Sequence, residues 1–313
     1  VVADDLKWMA PCDDPLRMTI AQIEGGLASQ MFGYAAARRL ALQHGAQVLI
    51  DPRNYRTYKK WSPELHHLDV EAVMLTPEQA DEICGPSNEF VTTVRPRHLH
   101  VDRAVLHLPV AEVLMVGNYT SEDYFFDVAD VIRSDFKRVS TPDAYAVEAN
   151  EAIRAKRAEG YSPVALHVRR GDYVQEAHTL AAHGVCSPEY YANAVLLVER
   201  LVENPWYFVF SNDAAWSAEH LGGERRTVMW PTPSTPPVED MFLMAECDHH
   251  IIANSTYSWW AAWLGEKPGQ VVVGPRPFMA DRSMNTEDTL RRNWISLGIQ
   301  PRPDQDVRSL WPS

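Results

Sequence analysis

The chain has 313 residues, nearly half of them apolar and spread along its whole length, and a formal net charge of −13. A chain of this kind buries a substantial core and divides into two domains of ordinary size, which excludes the disordered and fibrous classes. Its acidic balance excludes a nucleic-acid binder and leaves room only for a local basic pocket holding a small anion.

The cysteines, Cys12, Cys84, Cys186 and Cys247, form no C-x-x-C pair and read as free thiols in a reducing compartment. No run reaches the length of a membrane span. Val1 to Arg17 carries acidic residues and prolines without an apolar core, so it reads as an extension (1–17) ahead of a domain that begins near Met18. The expectation is a bacterial cytoplasmic protein with no transmembrane segment, peripheral membrane contact being left open.

Met18 to Glu24 alternates as a strand does, and Gly25 and Gly26 break it. Met31 to His44 has helical spacing, with Phe32, Ala36 and Leu40 on one face and Gly45 as its stop. Gln47 to Asp51 is the next strand, so the chain opens as a βαβ unit. A variable stretch runs from Pro52 to about Leu108. Thr141 to Gly160 is charged and helical in pattern, and the domain junction is placed inside it. The second half then repeats the βα rhythm: strand Pro163 to Val168, amphipathic helix Tyr190 to Asn204, strand Trp206 to Phe210, strand His249 to Ala253, helix Tyr257 to Leu264 and strand Gln270 to Val273. These strands are near-continuous apolar runs, as in a parallel sheet covered on both faces. Such sheets bind ligands outside the carboxyl ends of their strands.

Polar residues collect at those ends. His167, Arg169 and Arg170 close one strand, followed by Gly171 and Asp172. Two guanidiniums there need an anionic partner. A pyrophosphate matches the planar fork of Arg, and a salt bridge to Asp172 is an equal alternative. Ser211, Asn212 and Asp213 end another strand; Asp213 suits the donors of a guanine edge, and a plain turn is the bland reading. Asn254, Ser255, Thr256 and Ser258 stand where a strand meets a helix N-terminus, a ready anion site as well as an ordinary cap. Trp259, Trp260 and Trp263 follow, and core packing explains them better than sugar stacking. Gly25 to Phe32 is a glycine loop before a helix without the G-x-G-x-x-G or GK[ST] spacing, so a dehydrogenase-type or P-loop nucleotide site is not supported. Metal signals are poor. The D-x-D triplet Asp304-Gln305-Asp306 follows prolines near the chain end, and the pairs His66-His67, His98 with His100, and His249-His250 lack ligand spacing and acidic partners. The expected enzyme needs no metal and no cofactor, since arginine neutralises the pyrophosphate.

In this order, the pieces resemble the bacterial α-1,2-fucosyltransferase family. Ile23 to Ala36 (IEGGLASQMFGYAA) is similar to its GGLGNQMFQYA opening, and Ala165 to Tyr173 (ALHVRRGDY) carries its H-x-R-R-G-D-Y intact. Phe208 to Trp216 (FVFSNDAAW) and Met241 to Leu264 are similar to its FSDD and LM…C…IIANSSFSWWGAWL segments, with weaker echoes at Gly117 to Phe125 and Ser283 to Trp294. The resemblance implies an α/β fold of GT-B type, two Rossmann-like domains facing a cleft. It places an acceptor-side domain at 18–150, a GDP-sugar domain at 151–275 and a C-terminal segment at 276–313 that packs back across the domains. It implies GDP-β-L-fucose as donor, a glycan acceptor and inversion to an α linkage. By motif position Arg169 contacts the β-phosphate, His167 and Asp213 face guanine, and Ser255, Thr256 and Ser258 hold phosphate; Gly25, Gly26, Ser29, Arg170, Ser211, Asn212 and Asn254 complete the donor set. Asp172, Glu176 and His183 are the candidates for a base. The family's G-N-Q reads Ala28-Ser29-Gln30 here. That departure keeps two other readings open, a catalytically weak GDP-sugar-binding relative and a transferase for another GDP-hexose.

Overall fold

The computed structural model describes residues 17–85 and 88–298. Cys12 and the triplet Asp304-Gln305-Asp306 lie outside them. Two compact units result. The first takes the described residues up to Arg97 with Val101–Tyr119 and Asp123–Arg138; the second takes His98–His100, Thr120–Glu122 and the residues from Val139 onward.

The first unit contains β1 (Met18–Gln22), α1 (Leu27–His44), β2 (Gln47–Asp51), β3 (Val73–Met74), α2 (Pro77–Cys84), β4 (Thr92–Val94), α3 (Arg103–Leu106), β5 (Val113–Val116) and α4 (Ala129–Asp135). Its strands are parallel in the order β3-β2-β1-β5-β4. The chain winds outward from β1 on one side and returns on the other, so the switch point lies between β1 and β5. Helix α1 begins earlier than its spacing suggests. Gly26 is its extended N-cap, so Leu27 to Gln30 form its first turn instead of a loop. The periodicity misled because α1 is buried almost all round, from Met31 and Phe32 to Tyr34, Ala35 and Ala37, and shows no polar stripe.

The second unit contains α5 (Ala144–Ala158), β6 (Ser162–Val168), α6 (Asp172–Gln175), α7 (Ala177–His183), α8 (Pro188–Leu201), β7 (Pro205–Ser211), α9 (Ala214–Leu221), β8 (Arg226–Val228), α10 (Pro237–Glu246), β9 (His249–Ile251), α11 (Thr256–Leu264), β10 (Val272–Arg276) and β11 (Ile295–Gly298). The sheet order is β11-β10-β9-β6-β7-β8, all parallel, with the switch point between β6 and β9. Strand β6 is buried from Pro163 to Val168, as its apolar run requires.

Two boundaries differ from the sequence reading. The junction falls between Arg138 and Val139, ahead of the helix expected to contain it. Helix α5 is tied into the second unit, where its Tyr145 hydroxyl donates to Asp240 of α10 at 2.6 Å. The described part of the C-terminal segment adds β11 to the second unit's sheet, in register from Val273↔Ile295 to Arg276↔Gly298.

Helix α11 anchors this unit. Trp259, Trp260 and Trp263 are fully buried, as core packing requires. Trp259 and Trp260 meet edge to face at 5.0 Å, and Trp294 tilts against Trp259 at 5.5 Å. Both polar indole edges are satisfied: Trp259 Nε1 donates to the Thr289 carbonyl at 2.6 Å, and Trp263 Nε1 to Glu122 at 2.8 Å. Removing Trp259 leaves a cavity and an unsatisfied carbonyl. Trp259→Ala is expected to cost about 3–5 kcal/mol in equilibrium urea unfolding; a loss under about 1 kcal/mol, typical of surface positions, would show that α11 is not the unit's core.

Candidate active site

The switch point of the second unit gathers the ends of β6 and β9. At the end of β6 two consecutive arginines diverge. Arg169 Nη2 lies 2.8 and 3.0 Å from the two carboxylate oxygens of Asp172, and its guanidinium stands 5.1 Å from the Tyr173 ring. Arg170 turns the other way, reaching Asp213 at 3.3 Å and lying flat over Trp216 at 4.0 Å. Trp216 is itself stacked on His220 at 4.4 Å. The salt-bridge alternative therefore describes part of the arrangement: Arg170 is built into the scaffold, and Arg169 is held by one carboxylate while remaining part-exposed at the strand end.

The turn that separates them depends on Gly171, whose φ is +39° and whose absent β-carbon would collide with the Asn212 amide. Asn212 Oδ1 accepts from the Arg170 backbone at 2.9 Å. Asp213 is N-cap of α9, taking the Trp216 N–H at 3.2 Å, so its carboxylate serves the cap and Arg170 together. Ser211 accepts from Asp213 N at 2.9 Å. These three residues form a braced turn, the bland reading of that segment, with Asp213 still partly accessible.

His167 precedes the arginines on β6. It is 4 % exposed, and its Nδ1 makes no hydrogen bond. Burial first, then the charge of Arg169, pushes its pKa down to about 3. A neutral imidazole with an unsatisfied buried nitrogen beside an arginine fork is a feature that a ligand would complete.

At the end of β9, the polar run divides its labour. Asn254 is buried and donates to the His183 and Gly184 carbonyls at 2.9 and 3.3 Å, fastening the end of α7. Ser255 caps α11 through Tyr257 N at 3.3 Å, and Ser258 bonds inward to Ala253 N and the Ser255 carbonyl. Asn254 and Ser258 therefore hold structure and are not placed to hold phosphate. Among the described residues of this run, Thr256 alone has a part-exposed hydroxyl without a protein partner at the first turn of α11. Glu176 accepts from Thr179 at 2.8 Å, and His183 stacks on Tyr173 at 4.6 Å. Asp172, Glu176 and His183 thus border the same short segment, α6–α7, with Asp172 committed to Arg169.

Gly25, Gly26 and Ser29 belong to the first unit, at the carboxyl end of β1. Gly25 has φ +67°, and a β-carbon there would stand 3.1 Å from Ser29 Oγ. The Trp61 indole packs where a Gly26 side chain would begin, 3.4 Å from its β-carbon position. The residue that sequence reasoning passed over is Gln30. Fully buried, it donates to Tyr55 Oη and to the Ser62 carbonyl, each at 2.8 Å, and accepts from Glu64 N at 2.8 Å, while Tyr55 Oη donates on to the Gly25 carbonyl at 2.7 Å. A glutamine amid the apolar residues of a helix was the available signal. His66-His67 also differs from its reading: Glu64 supplies the acidic partner, 3.2 Å from His67 Nε2.

Residues 102–298 match the profile of Glycosyl transferase family 11. The chain belongs to that family. It is similar to an alpha-1,2-colitosyltransferase of Escherichia coli (26 % identical, over 90 % of this chain and 99 % of that one). The O-antigen biosynthesis glycosyltransferase WbnK of Escherichia coli is 28 % identical over 88 % of this chain and 99 % of its own. The galactoside alpha-(1,2)-fucosyltransferase 2 of Bos taurus is 26 % identical over 77 % of this chain and 67 % of its own. Among solved structures, fucosyltransferase NodZ from Bradyrhizobium shares the fold with a TM-score of 0.50 at 14 % identity, covering 79 % of this chain and 93 % of that one. The protein is a glycosyltransferase with the paired parallel α/β units of the GT-B class.

The matched segment of this family 11 glycosyltransferase includes every site residue of the second unit; the glycine loop of the first unit precedes it. None of the described helices is long and apolar enough to cross a membrane. The buried imidazole yields a pH prediction. The folded pKa of His167, about 3, lies below its ordinary 6.5, so the unfolded chain takes the proton first. Its contribution is complete above about pH 6.5 and is lost as pH falls from there towards 3, at up to about 1.4 kcal/mol per pH unit. Unfolding free energies at pH 7 and pH 5 should therefore differ less in His167→Asn than in wild type, by roughly 1–2 kcal/mol. Identical acid slopes would show that His167 is protonated as readily in the fold as out of it.

Proposed function

We propose that this glycosyltransferase moves L-fucose from GDP-β-L-fucose to O2 of a terminal galactoside, with inversion to an α-1,2 linkage and without a metal ion. The observation that carries the proposal is the conjunction at one switch point of the Arg169 fork and the buried His167 Nδ1 that makes no hydrogen bond. A nucleoside diphosphate sugar meets both, its phosphate on the guanidinium and its base on the imidazole side. The relatives support the linkage: two of those compared are named as α-1,2 transferases, one for colitose and one for fucose on a galactoside.

In this mechanism the bond from the anomeric carbon to the β-phosphate oxygen breaks, and its electron pair stays on GDP. The acceptor oxygen attacks the opposite face of a sugar with oxocarbenium character. Negative charge grows on the β-phosphate as the bond lengthens, and Arg169, oriented by Asp172, opposes it; Thr256 and the first turn of α11 add donors. Both oxygens of Asp172 lie against the Arg169 guanidinium, so Asp172 has the orienting role. Glu176 or His183 takes the acceptor proton, and a loose transition state needs little help from either. Arginine charge at the departing diphosphate does the work a divalent cation would otherwise do. In the first unit, Ser29 beside Gly25 stands at the position of the family asparagine.

A second reading concerns the donor sugar, since one relative is named a colitosyltransferase. A GDP-release assay with GDP-fucose, GDP-colitose and GDP-mannose across galactoside acceptors, with linkage analysis of the product, separates the two. Fucose transfer to O2 is expected, and release with colitose alone would replace fucose as the sugar. The same assay in chelator should run at the same rate; a loss restored by manganese or magnesium would refute metal independence. Arg169→Ala should lower turnover roughly 100-fold or more, the effect of losing a transition-state donor, with the melting temperature near wild type. Arg169→Lys should recover part of it, because a point charge lacks the fork. Arg170→Ala removes the Asp213 and Trp216 contacts, so its melting temperature should fall. A folded Arg169→Ala protein with near-normal turnover would remove the centre of the proposal.

A further inference from the structure

We propose that Glu64, His66 and His67 of the first unit form a binding site for one divalent cation of the Zn²⁺ class, held by two imidazoles and a carboxylate. The three side chains offer ligand atoms that all lie within 4.8 Å of one another. Glu64 Oε2 and His67 Nε2 are 3.2 Å apart. Ligand bonds of about 2.0–2.1 Å in a tetrahedron place neighbouring donors about 3.3 Å apart, so this gap needs almost no adjustment to admit an ion. The ring centroids of His66 and His67 lie 4.1 Å apart, and a ligand nitrogen of His66 lies within 4.8 Å of the other two donors. His66 is exposed, leaving the fourth position to water.

The donors ride on a short, firmly held segment. Leu65 and Leu68 are buried on either side of the histidines. Before them, Gln30 takes the Glu64 N–H and donates to the Ser62 carbonyl, each at 2.8 Å. After them, Asp69 N donates to the Lys137 carbonyl at 2.9 Å, beside the bridge between Leu68 and Arg138. Ser62 Oγ donates to Glu64 Oε1 at 2.6 Å and fixes the carboxylate. Binding therefore orders little that is not already ordered. Two imidazoles with one carboxylate suit Zn²⁺ and its neighbours better than Mg²⁺ or Ca²⁺, which take all-oxygen shells. None of these residues belongs to the proposed donor set, so the site stands whether or not the transfer proposal does. Because Gln30 joins this segment to Gly25, an ion here stiffens the glycine loop's support without entering the transfer chemistry.

The test uses the whole chain, stripped with a chelator and desalted, titrated with Zn²⁺ by calorimetry and with Co²⁺ by visible absorption. One Zn²⁺ site is expected that raises the melting temperature, with a Co²⁺ band of tetrahedral intensity. His66→Ala alters an exposed side chain, and Glu64→Gln keeps the N–H that Gln30 holds, so both metal-free variants should melt like wild type. Since second-shell partners alone cost roughly 10–100-fold in affinity, losing a ligand should weaken Zn²⁺ at least about tenfold in each and abolish the Co²⁺ band. Zn²⁺ binding of wild-type strength in both variants, or no binding by the wild type at millimolar Zn²⁺, would overturn the site and leave a plain Glu64–His67 hydrogen bond.

Discussion

The second unit's working edge depends on the backbone at Gly171. With a positive φ that residues bearing a β-carbon avoid, and with Asn212 packed where that carbon would be, the chain turns sharply after β6. The two guanidiniums that precede the turn are thereby sent in different directions. One lies between Asp213 and the Trp216 face; the other stays with Asp172 at the strand end. Without the turn, two adjacent like charges would compete for the same partners. With it, one cation pairs with Asp213 and the other with Asp172, on separate sides of the strand end.

Buried amides carry much of the remaining order. Gln30 in the first unit and Asn254 in the second each sit within apolar packing and bond to the backbone of loops distant in sequence. An amide can donate and accept at once, so one side chain can pin two strands of backbone that have no sheet or helix partner. The cost of burying it is met by full satisfaction of its hydrogen bonds. Asn254 follows the end of β9 and Gln30 lies in the first turn of α1, both next to the loops that they brace.

The sequence made the sheets, their direction and the strand ends readable, because apolar runs such as Pro163 to Val168 and the arginines that end them are local signals. It did not reveal which polar residue points where. Asn254, Ser255, Thr256 and Ser258 look alike as a polar run at a helix start; only the fold commits Asn254 to the His183 carbonyl and Ser258 to Ala253 N. The start of α1 is hidden because its first turn shows no polar stripe to mark it, although Gln30 N already donates to the Gly26 carbonyl at 3.2 Å. The junction was misplaced because the charged pattern of Ala144–Ala158 resembles a linker, whereas three of its faces' residues, Ala146, Ala149 and Ile153, are buried in the second unit. Glu64 escaped notice beside His66 and His67 because the separation of the three donors is a property of a tight helical turn, not of spacing along the chain.

His167 shows how stability and function divide at this edge. A buried nitrogen with no partner costs about 1–3 kcal/mol, and a chain free to choose would place an apolar residue on a strand as buried as β6. The imidazole instead keeps a polar atom at the carboxyl end of the strand, and burial, with Arg169 next to it, holds it neutral. A neutral imidazole can accept or donate according to its tautomer, which suits the mixed edge of a nucleobase, whereas a charged one would add a second cation beside the arginine. On the proposed binding mode, the penalty that the fold carries at this nitrogen is relieved by the donor, which adds to the donor's affinity.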